Sequence, residues 1–362
     1  MDRSGRAAVL DRRGHAVPGA SAASFVSARM AYVYAIAALR GHVGARDVAE
    51  PLVRSLLELA GTRWPDREDR PDDARSLYTL GFVLLAASAA TSARLPGGRP
   101  LLDLAIARLD AAFWDDATGL GVDRIRSDGE RAAYRGLNAN MHLVEALFAA
   151  HAAVGDATLR NRAVGICRFV IAEARGRDWR ICEHYDASWR STPDRNRDRP
   201  DHPFVPYGFT IGHGFEWSRL IAQADGLPGT AGFGCAAAQL FARAVQDGWA
   251  RDGENGFLYT VDWSGRPVSR RRLHWVAAEA AAAASVLARR GDRNATEWVE
   301  HSLAHVRSRF VDLEHGSWIH DLDRPDGDKP DLYHAMAAVL TPQLPIATSQ
   351  IAAIETGTDP LS

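Results

Sequence analysis

The sequence predicts an all-α protein, an (α/α)6 barrel of six helical hairpins in a ring with short β-hairpin insertions. Three observations carry this. About twelve segments place apolar residues at helical spacing, mostly in consecutive pairs, with no strand–helix–strand alternation. His142, His213, His274 and His334 are separated by 71, 61 and 60 residues, each at or near the start of a predicted helix. Helix-ending aromatics followed by Asp and then Gly occur three times: Phe113-Trp114-Asp115 with Gly119, Trp249 to Asp252 with Gly256, and Phe310 to Asp312 with Gly316. Self-similarity at multiples of one helical hairpin is a repeat signal. Six such hairpins closed into a ring aim their imidazoles at a common axis. The chain is read as a single catalytic barrel domain, residues 1–362.

The elements follow in order. Ser21 to Arg40 has Phe25, Met30, Val33, Tyr34 and Ala37 at helical spacing, with Gly41 to stop it. Asp47 to Ala60 is a second helix, and a charged Pro/Asp loop from Trp64 to Asp73 separates it from a third, Ala74 to Ala90. Pro100 starts a fourth that ends at Phe113. Leu137 to Val154 and Asp156 to Ala174 form the next pair, then Gly212 to Ala224 and Gly232 to Gly248. Leu273 to Arg290, Asn294 to Phe310, Asp331 to Leu340 and Ile346 to Glu355 complete the chain. Short hydrophobic hairpin-like pieces lie between some pairs.

Composition narrows the function. Hydrophobic residues make up 46% and charged residues 24%, enough for a large core in a soluble globular protein. A formal net charge of -2 offers no attraction to nucleic acid or to an anionic membrane. Lys329 is the only lysine and lies in a polar stretch, which argues against imine chemistry. Cys167, Cys182 and Cys235 show no C-x-x-C spacing, so neither a zinc site nor a disulfide framework is expected, and the reading is cytoplasmic. No apolar run follows Arg3, Arg6, Arg12 and Arg13 as a signal sequence requires. The most apolar stretches, Gly81 to Ala90 and Ala277 to Ala288, are too short or too alanine-rich to span a bilayer.

Polar residues gather at helix starts. His213, Glu216 and Trp217 stand at i, i+3 and i+4, one face of a helix that opens at Gly212. Asn138, His142 and Glu145 form a second stripe at i, i+4 and i+7. In His274-Trp275-Val276-Ala277-Ala278-Glu279, an indole and a carboxylate share a face. Sugars need that combination, because aromatic faces stack on C–H surfaces while carboxylates and amides bind hydroxyls. A fourth helix start ends in Asp331-Leu332-Tyr333-His334, and Arg29 lies in the first helix among small and apolar residues. Two His-x-x-Glu units raise a metal, but di-iron bundles use the reverse order and no H-E-x-x-H is present, so none is expected.

Most single histidines on a helix face are structural. His15, His42, His151, His301 and His305 are assigned to the surface or to incidental roles, and His184 and His202 to structural hydrogen bonds. His274 is read as a support for Trp275 and Glu279, Trp217 as core, and Glu145 as a residue that orients a neighbouring histidine or arginine. The repeat context sets His213 and His334 apart.

Together these stretches resemble the N-acylglucosamine 2-epimerase superfamily, a group of (α/α)6-barrel sugar epimerases and aldose–ketose isomerases. The resemblance runs from about Arg29 to Pro342. It rests on Arg29-Met30, Ser76-Leu77-Tyr78, Arg135 to His142, Gly212-His213 with Glu216-Trp217, Trp275 with Glu279, and Asp331 to His334. Asn138-Ala139-Asn140-Met141-His142 and Glu183-His184-Tyr185-Asp186 look most like the mannose isomerase and sulfoquinovose isomerase branch. The resemblance implies His213 and His334 as the acid/base pair. It implies Arg29, Tyr78, Asn138, His142, Glu216, Trp275 and Glu279 as substrate-binding residues. Sulfoquinovose-type members are expected to carry a cation just before Tyr207, where this chain has Pro203-Phe204-Val205-Pro206. That departure favours a neutral hexose.

The expected reaction is interconversion of D-mannose and D-fructose through a cis-enediol, with no cofactor and no metal. Imidazole titrates near neutrality and so can take a proton from carbon and return it one carbon away. Arg29 is the fixed cation for the developing negative charge, and Glu216, one turn after His213, is read as holding its tautomer. The alternative on the same site is aldose 2-epimerisation of a hexose or N-acylhexosamine. A glycoside hydrolase calls for two flanking carboxylates, which Glu216 and Glu279 supply poorly. A non-catalytic sugar-binding scaffold has no need of two axial histidines. The expected partner is a monosaccharide, without nucleic acid or membrane, and homo-oligomerisation is left open.

Overall fold

Helical runs begin and stop in this chain where capping residues and glycines dictate. In a computed structural model, which describes residues 5–20, 22–66 and 74–357, Asp156 accepts the Thr158 N–H to start one helix. The helix before it ends at Gly155, whose φ of 77° is left-handed. Twelve α-helices form among the described residues: α1 Ser24–Leu39, α2 Ala45–Glu58, α3 Leu77–Ser92, α4 Gly98–Arg108, α5 Leu137–Val154, α6 Ala157–Arg175, α7 Ile211–Ala224, α8 Phe233–Gly248, α9 His274–Arg289, α10 Arg293–Arg309, α11 Tyr333–Leu340 and α12 Gln350–Thr356. Each answers to a predicted segment. Ser21 and residues 67–73 of the predicted charged loop lie outside the described residues.

The odd-numbered helices make a closed inner ring, α1 on α3, α3 on α5, α5 on α7, α7 on α9, α9 on α11, and α11 back on α1. The helices α2, α4, α6, α8 and α10 pack outside α1, α3, α5, α7 and α9. Burial separates the two layers. In α9, 13 of 16 residues are buried, whereas α10 buries Ala295, Ser302, His305 and Val306 out of 17. The alanine run Ala280–Ala284 lets neighbouring inner helices approach α9 closely, and one apolar core extends from Ala28 to Ile351. The last pair departs from the hairpin pattern, because α12 packs chiefly on α5 and α1, where Tyr32 Oη donates to Gln350 Oε1 at 3.3 Å.

The β-structure is minimal and serves the helix starts. Strands of two or three residues pair antiparallel, Arg75–Ser76 with Arg124–Ile125, Arg135–Gly136 with His184–Tyr185, and Phe209–Thr210 with Thr260–Val261. The first helical residue of five inner helices then gives its N–H to a carbonyl 42 to 48 residues further on. The pairs are Ser24 to Asp66, Leu77 to Asp123, Leu137 to Glu183, Ile211 to Tyr259, and His274 to His320. Helix N-termini leave four N–H groups unpaired, so each such strap satisfies one of them. The chain start serves the loop before α11, with Leu10 O accepting the Lys329 N–H.

Three expectations are corrected. The fourth predicted segment is helical from Gly98, with Pro100 in its first turn, but Leu109–Phe113 widens into a π-helical turn that delivers Trp114 to a strand. Lys329 does lie in a loop, but the polar stretch does not leave it in water, for its side chain is only 3% exposed and its Nζ donates to Asp312 Oδ2 at 2.6 Å. His305 is buried against Trp249 and Phe310 rather than lying on the surface, because it occupies the inward stripe of α10.

Candidate active site

The first turns of α3, α5, α7, α9 and α11, with the first half of α1, surround a cavity of about 640 Å³. That volume lies within the usual range for small-molecule sites. Arg29, Tyr78, Asn138, His142, His213, Glu216, Trp275 and His334 all line it. Glu279 does not. It is fully buried behind His334.

His213 and His334 both pack against Trp275, with ring centroids 5.1 and 5.7 Å from the indole. Gly212 makes this possible, because a Cβ there would come within 2.1 Å of Trp275 Cζ3. Each imidazole is fixed through Nδ1 by a buried carboxylate. His213 Nδ1 lies 2.6 Å from Glu183 Oε1, and His334 Nδ1 lies 2.9 Å from Glu279 Oε1. With Nδ1–H donating, each ring presents Nε2 as its basic nitrogen, and neither Nε2 has a hydrogen-bond partner among the described residues. The expectation that Glu216 holds His213 is therefore corrected to Glu183. One helical turn from His213, Glu216 points instead towards His142, with Oε1 3.6 Å from His142 Nδ1.

Arg29 is a caged cation. Its Nη1 donates to Asp331 Oδ2 at 3.0 Å and its Nη2 to Tyr78 Oη at 2.8 Å, while Phe25, Tyr78, Phe82 and Tyr333 surround it with centroids 4.3 to 5.7 Å away. Burial raises the Asp331 carboxyl, but Arg29, His334 and the Tyr333 amide together hold it below its ordinary range. Burial pushes the Tyr78 phenol up to about 12, against the pull of Arg29.

Beneath the cavity lies a second cation, Arg219 on α7. Its Nε donates to Glu279 Oε2 at 2.9 Å, its Nη1 to Glu145 Oε1 at 3.4 Å, and its Nη2 stands 3.6 Å from Glu216 Oε1. Glu145 also accepts the Tyr333 hydroxyl, so it orients an arginine, one of the roles read for it. Burial raises Glu279, yet Arg219 and His334 together pull it below the normal carboxylate range. Glu216 moves the other way, raised well above that range by burial and by Glu279. Burial, reinforced by Arg29, His334 and His213, keeps His142 neutral far below the usual imidazole value. Burial likewise lowers His334, with Glu279 opposing.

Two buried groups have ligand atoms close enough for a metal ion, namely His142, Glu145 and Glu216, and Glu216, Glu279 and His334. The Arg219 guanidinium already faces all three carboxylates, so positive charge is supplied there by the chain itself.

Several groups at the site were not singled out from sequence. Glu183, Tyr259 and His320 are the strap residues of α5, α7 and α9, and their side chains reach His213, Trp275 and His274 respectively. The recurring offset of 46 to 48 residues after an inner helix start is the signal that marks them. Arg271, held to Asp321 at 2.7 Å, also lines the cavity. Phe204 closes part of the mouth, 6.0 Å from Phe25 and 5.9 Å from Tyr78, and its carbonyl accepts Asn138 Nδ2 at 3.4 Å. His184 and His202 make structural hydrogen bonds, to Pro206 O and from the Phe204 and Val205 amides.

A family model described as N-acylglucosamine 2-epimerase matches residues 5–338. The D-mannose isomerase of Thermobifida fusca is 41% identical, across 96% of this chain and 90% of that protein. The D-mannose isomerase of Pseudomonas cannabina pv. alisalensis is 36% identical, across 95% and 89%. A crystal structure of D-mannose isomerase superposes with a TM-score of 0.87 at 25% identity, covering 94% of this chain and 92% of that one. Cellobiose 2-epimerase from Bacillus thermoamylovorans B4167 has a TM-score of 0.78 at 16% identity, covering 99% and 94%, which marks a common fold.

Proposed function

Because the chain belongs to the N-acylglucosamine 2-epimerase family, we propose that it interconverts D-mannose and D-fructose without a cofactor. The observation that carries the reading is the pair of imidazoles packed against Trp275 in the cavity wall, each tied at Nδ1 to its own buried carboxylate. Two bases so placed meet the need of an aldose–ketose exchange. One acts on the C–H next to the carbonyl, and the other on the ring or carbonyl oxygen. The proton lifted from C2 returns to C1 after the electrons have moved through a cis-enediol. Arg29, caged by aromatic rings in a site shielded from bulk water, stabilises the negative charge of that intermediate. Trp275 offers its face to the C–H surface of the sugar, and Asn138 and His142 meet its hydroxyls.

Apolar Phe204 at the mouth supports a neutral hexose over an anionic one. We read the chain as one catalytic domain, supported by the apolar core that runs from α1 to α12. No helix among the described residues is long and apolar enough to cross a membrane. Together with three free cysteines, this supports a cytoplasmic place for the enzyme.

The test is NMR of the chelator-treated protein with D-mannose in deuterated water. Fructose deuterated at C1 is expected. Glucose deuterated at C2, with little fructose, would reassign the chain to 2-epimerisation, and an unchanged mannose spectrum would refute both.

A further inference from the structure

Three carboxylates converge on Arg219, and they are not equally served. Glu279 accepts two charge-assisted bonds, from Arg219 Nε and His334 Nδ1, both at 2.9 Å. Glu145 accepts the Tyr333 hydroxyl and faces Arg219 Nη1. Glu216 has no hydrogen-bond donor among the described residues. Its Oε1 is sealed and unpartnered, 3.6 Å from both His142 Nδ1 and Arg219 Nη2, although the residue lines the cavity. With Oε1 sealed, Oε2 is the oxygen left to face a substrate.

An ionised carboxylate has about four acceptor sites to fill, and it is costly to bury one beside other anions without donors. The groups around Glu216 offer too little relief: Arg219 and Arg29 favour its charge, but burial and the neighbouring carboxylates outweigh them. Glu145 on α5 and Glu279 on α9 repel a negative charge there. His142 on α5 is neutral. Tyr333 on α11 already donates to Glu145, and Tyr78 on α3, which accepts from Arg29, makes no hydrogen bond to Glu216. Arg29 on α1 is paired with Asp331. Arg219, the one remaining cation, makes its short contact to Glu279.

We propose that Glu216 stands in the resting enzyme as a neutral carboxylic acid. Its Oε2–H donates a hydrogen bond to the substrate oxygen that gains charge in the enediol. Arg219 acts as a positioning residue whose short contact reserves the ionised state for Glu279. No net proton transfer is involved. The identity of the acceptor oxygen rests on the isomerase reading, and the protonation of Glu216 does not.

Infrared spectroscopy of the chelator-treated wild-type protein at pH 8 tests the first half. That pH lies well above Asp123, whose carboxyl burial pushes up to about 6. A protonated-carboxyl C=O band, sensitive to D2O and missing from E216Q, is expected. Its absence from wild type overturns the proposal, as does its persistence in E216Q or one equivalent of tightly held divalent metal. The wild-type spectrum needs no variant to fold.

Kinetics with D-mannose test the second half. E216A should lose about 10²–10³-fold in kcat, the usual cost of one oxyanion donor. E216Q keeps an N–H donor in place and should recover most of that loss. Equal loss in both variants, each folded by circular dichroism, overturns the donor role. R219Q should raise the acid limb of the pH–rate profile and add a second carboxyl band, and an unchanged profile and spectrum would remove Arg219 from the account. A band without mannose turnover would sink the isomerase reading and leave the ionisation state standing.

Discussion

Glu183 reaches across from the strap after α6 to hold His213, with Oε1 2.6 Å from Nδ1 and both residues buried. Burial raises this carboxyl, but His213, with His184 and Thr210, more than offsets that and keeps it below the ordinary range, so it stays an anion. Its work is to set the tautomer. Glu183→Gln presents an amide of the same shape that can equally donate to Nδ1, which leaves Nε2 protonated, and so not basic, towards the cavity. We expect kcat to fall about 10²–10⁴-fold, as when the orienting carboxylate of a triad is amidated, with KM nearly unchanged. Steady-state kinetics decide it, and a kcat within threefold of wild type would free the reaction from this contact.

Gly212 tests the place of the indole. Adding one methyl as Gly212→Ala drives a Cβ into Trp275, to 2.1 Å from Cζ3 if the ring stays in place. Trp275 must swing away from its place against the two imidazoles, at a cost of about 1–3 kcal/mol for overpacking. Activity should drop steeply and Trp fluorescence should shift, while the helical circular dichroism persists. Full activity with an unshifted emission spectrum would show that the ring need not sit there.

Buried histidines set the acid limit of stability. Burial holds His142 and His274 well below the ordinary imidazole range, aided by Arg29 at the first and His320 at the second. Unfolding returns both to about 6.5, so below that pH the unfolded chain binds more protons than the folded one. Stability contributed by these sites is complete above about pH 6.5 and is lost as pH falls towards their depressed folded values, at up to about 1.4 kcal/mol per site per pH unit. Urea midpoints measured from pH 7 to 5 should fall, and His142→Gln should flatten the slope. A slope unaltered in that variant would assign the acid sensitivity elsewhere.

Asp331 neutralises Arg29 in a place where both side chains are at most 10% exposed. Asp331→Asn leaves a buried guanidinium without its counter-charge, which typically costs about 3–5 kcal/mol. Chemical denaturation should register that loss. An unchanged midpoint would mean that the aromatic cage alone accommodates the cation.

The helices were legible because their patterns are long. Leu137–Val154 runs as expected from its apolar spacing, and the recurrence of His142, His213, His274 and His334 at helix starts marks the ring. Strands of two or three residues carry no periodicity, so the straps could not be read from alternation. Glu183 was visible only as part of a short motif, because its partner lies 30 residues away. Arg219 was passed over since an arginine on an apolar helix reads as a surface residue until its three carboxylates, from three different helices, are brought together. Glu216 and Glu279 looked equivalent in sequence and differ in space, one lining the cavity and the other sealed behind a histidine.

The straps have a consequence for how such a barrel diversifies. At Asp66, Asp123, Glu183, Tyr259 and His320 the backbone carbonyl finishes one inner helix, and any of the twenty amino acids provides that carbonyl, proline included. The side chain is left over for other work. At Asp66 it caps α3 through Ser76 and Thr79, and at Glu183 it tunes a histidine of α7. A single codon change at one of these five places can exchange architecture for chemistry while the scaffold keeps its seams. New specificities in this ring therefore have a low-risk address, and it lies outside every helix.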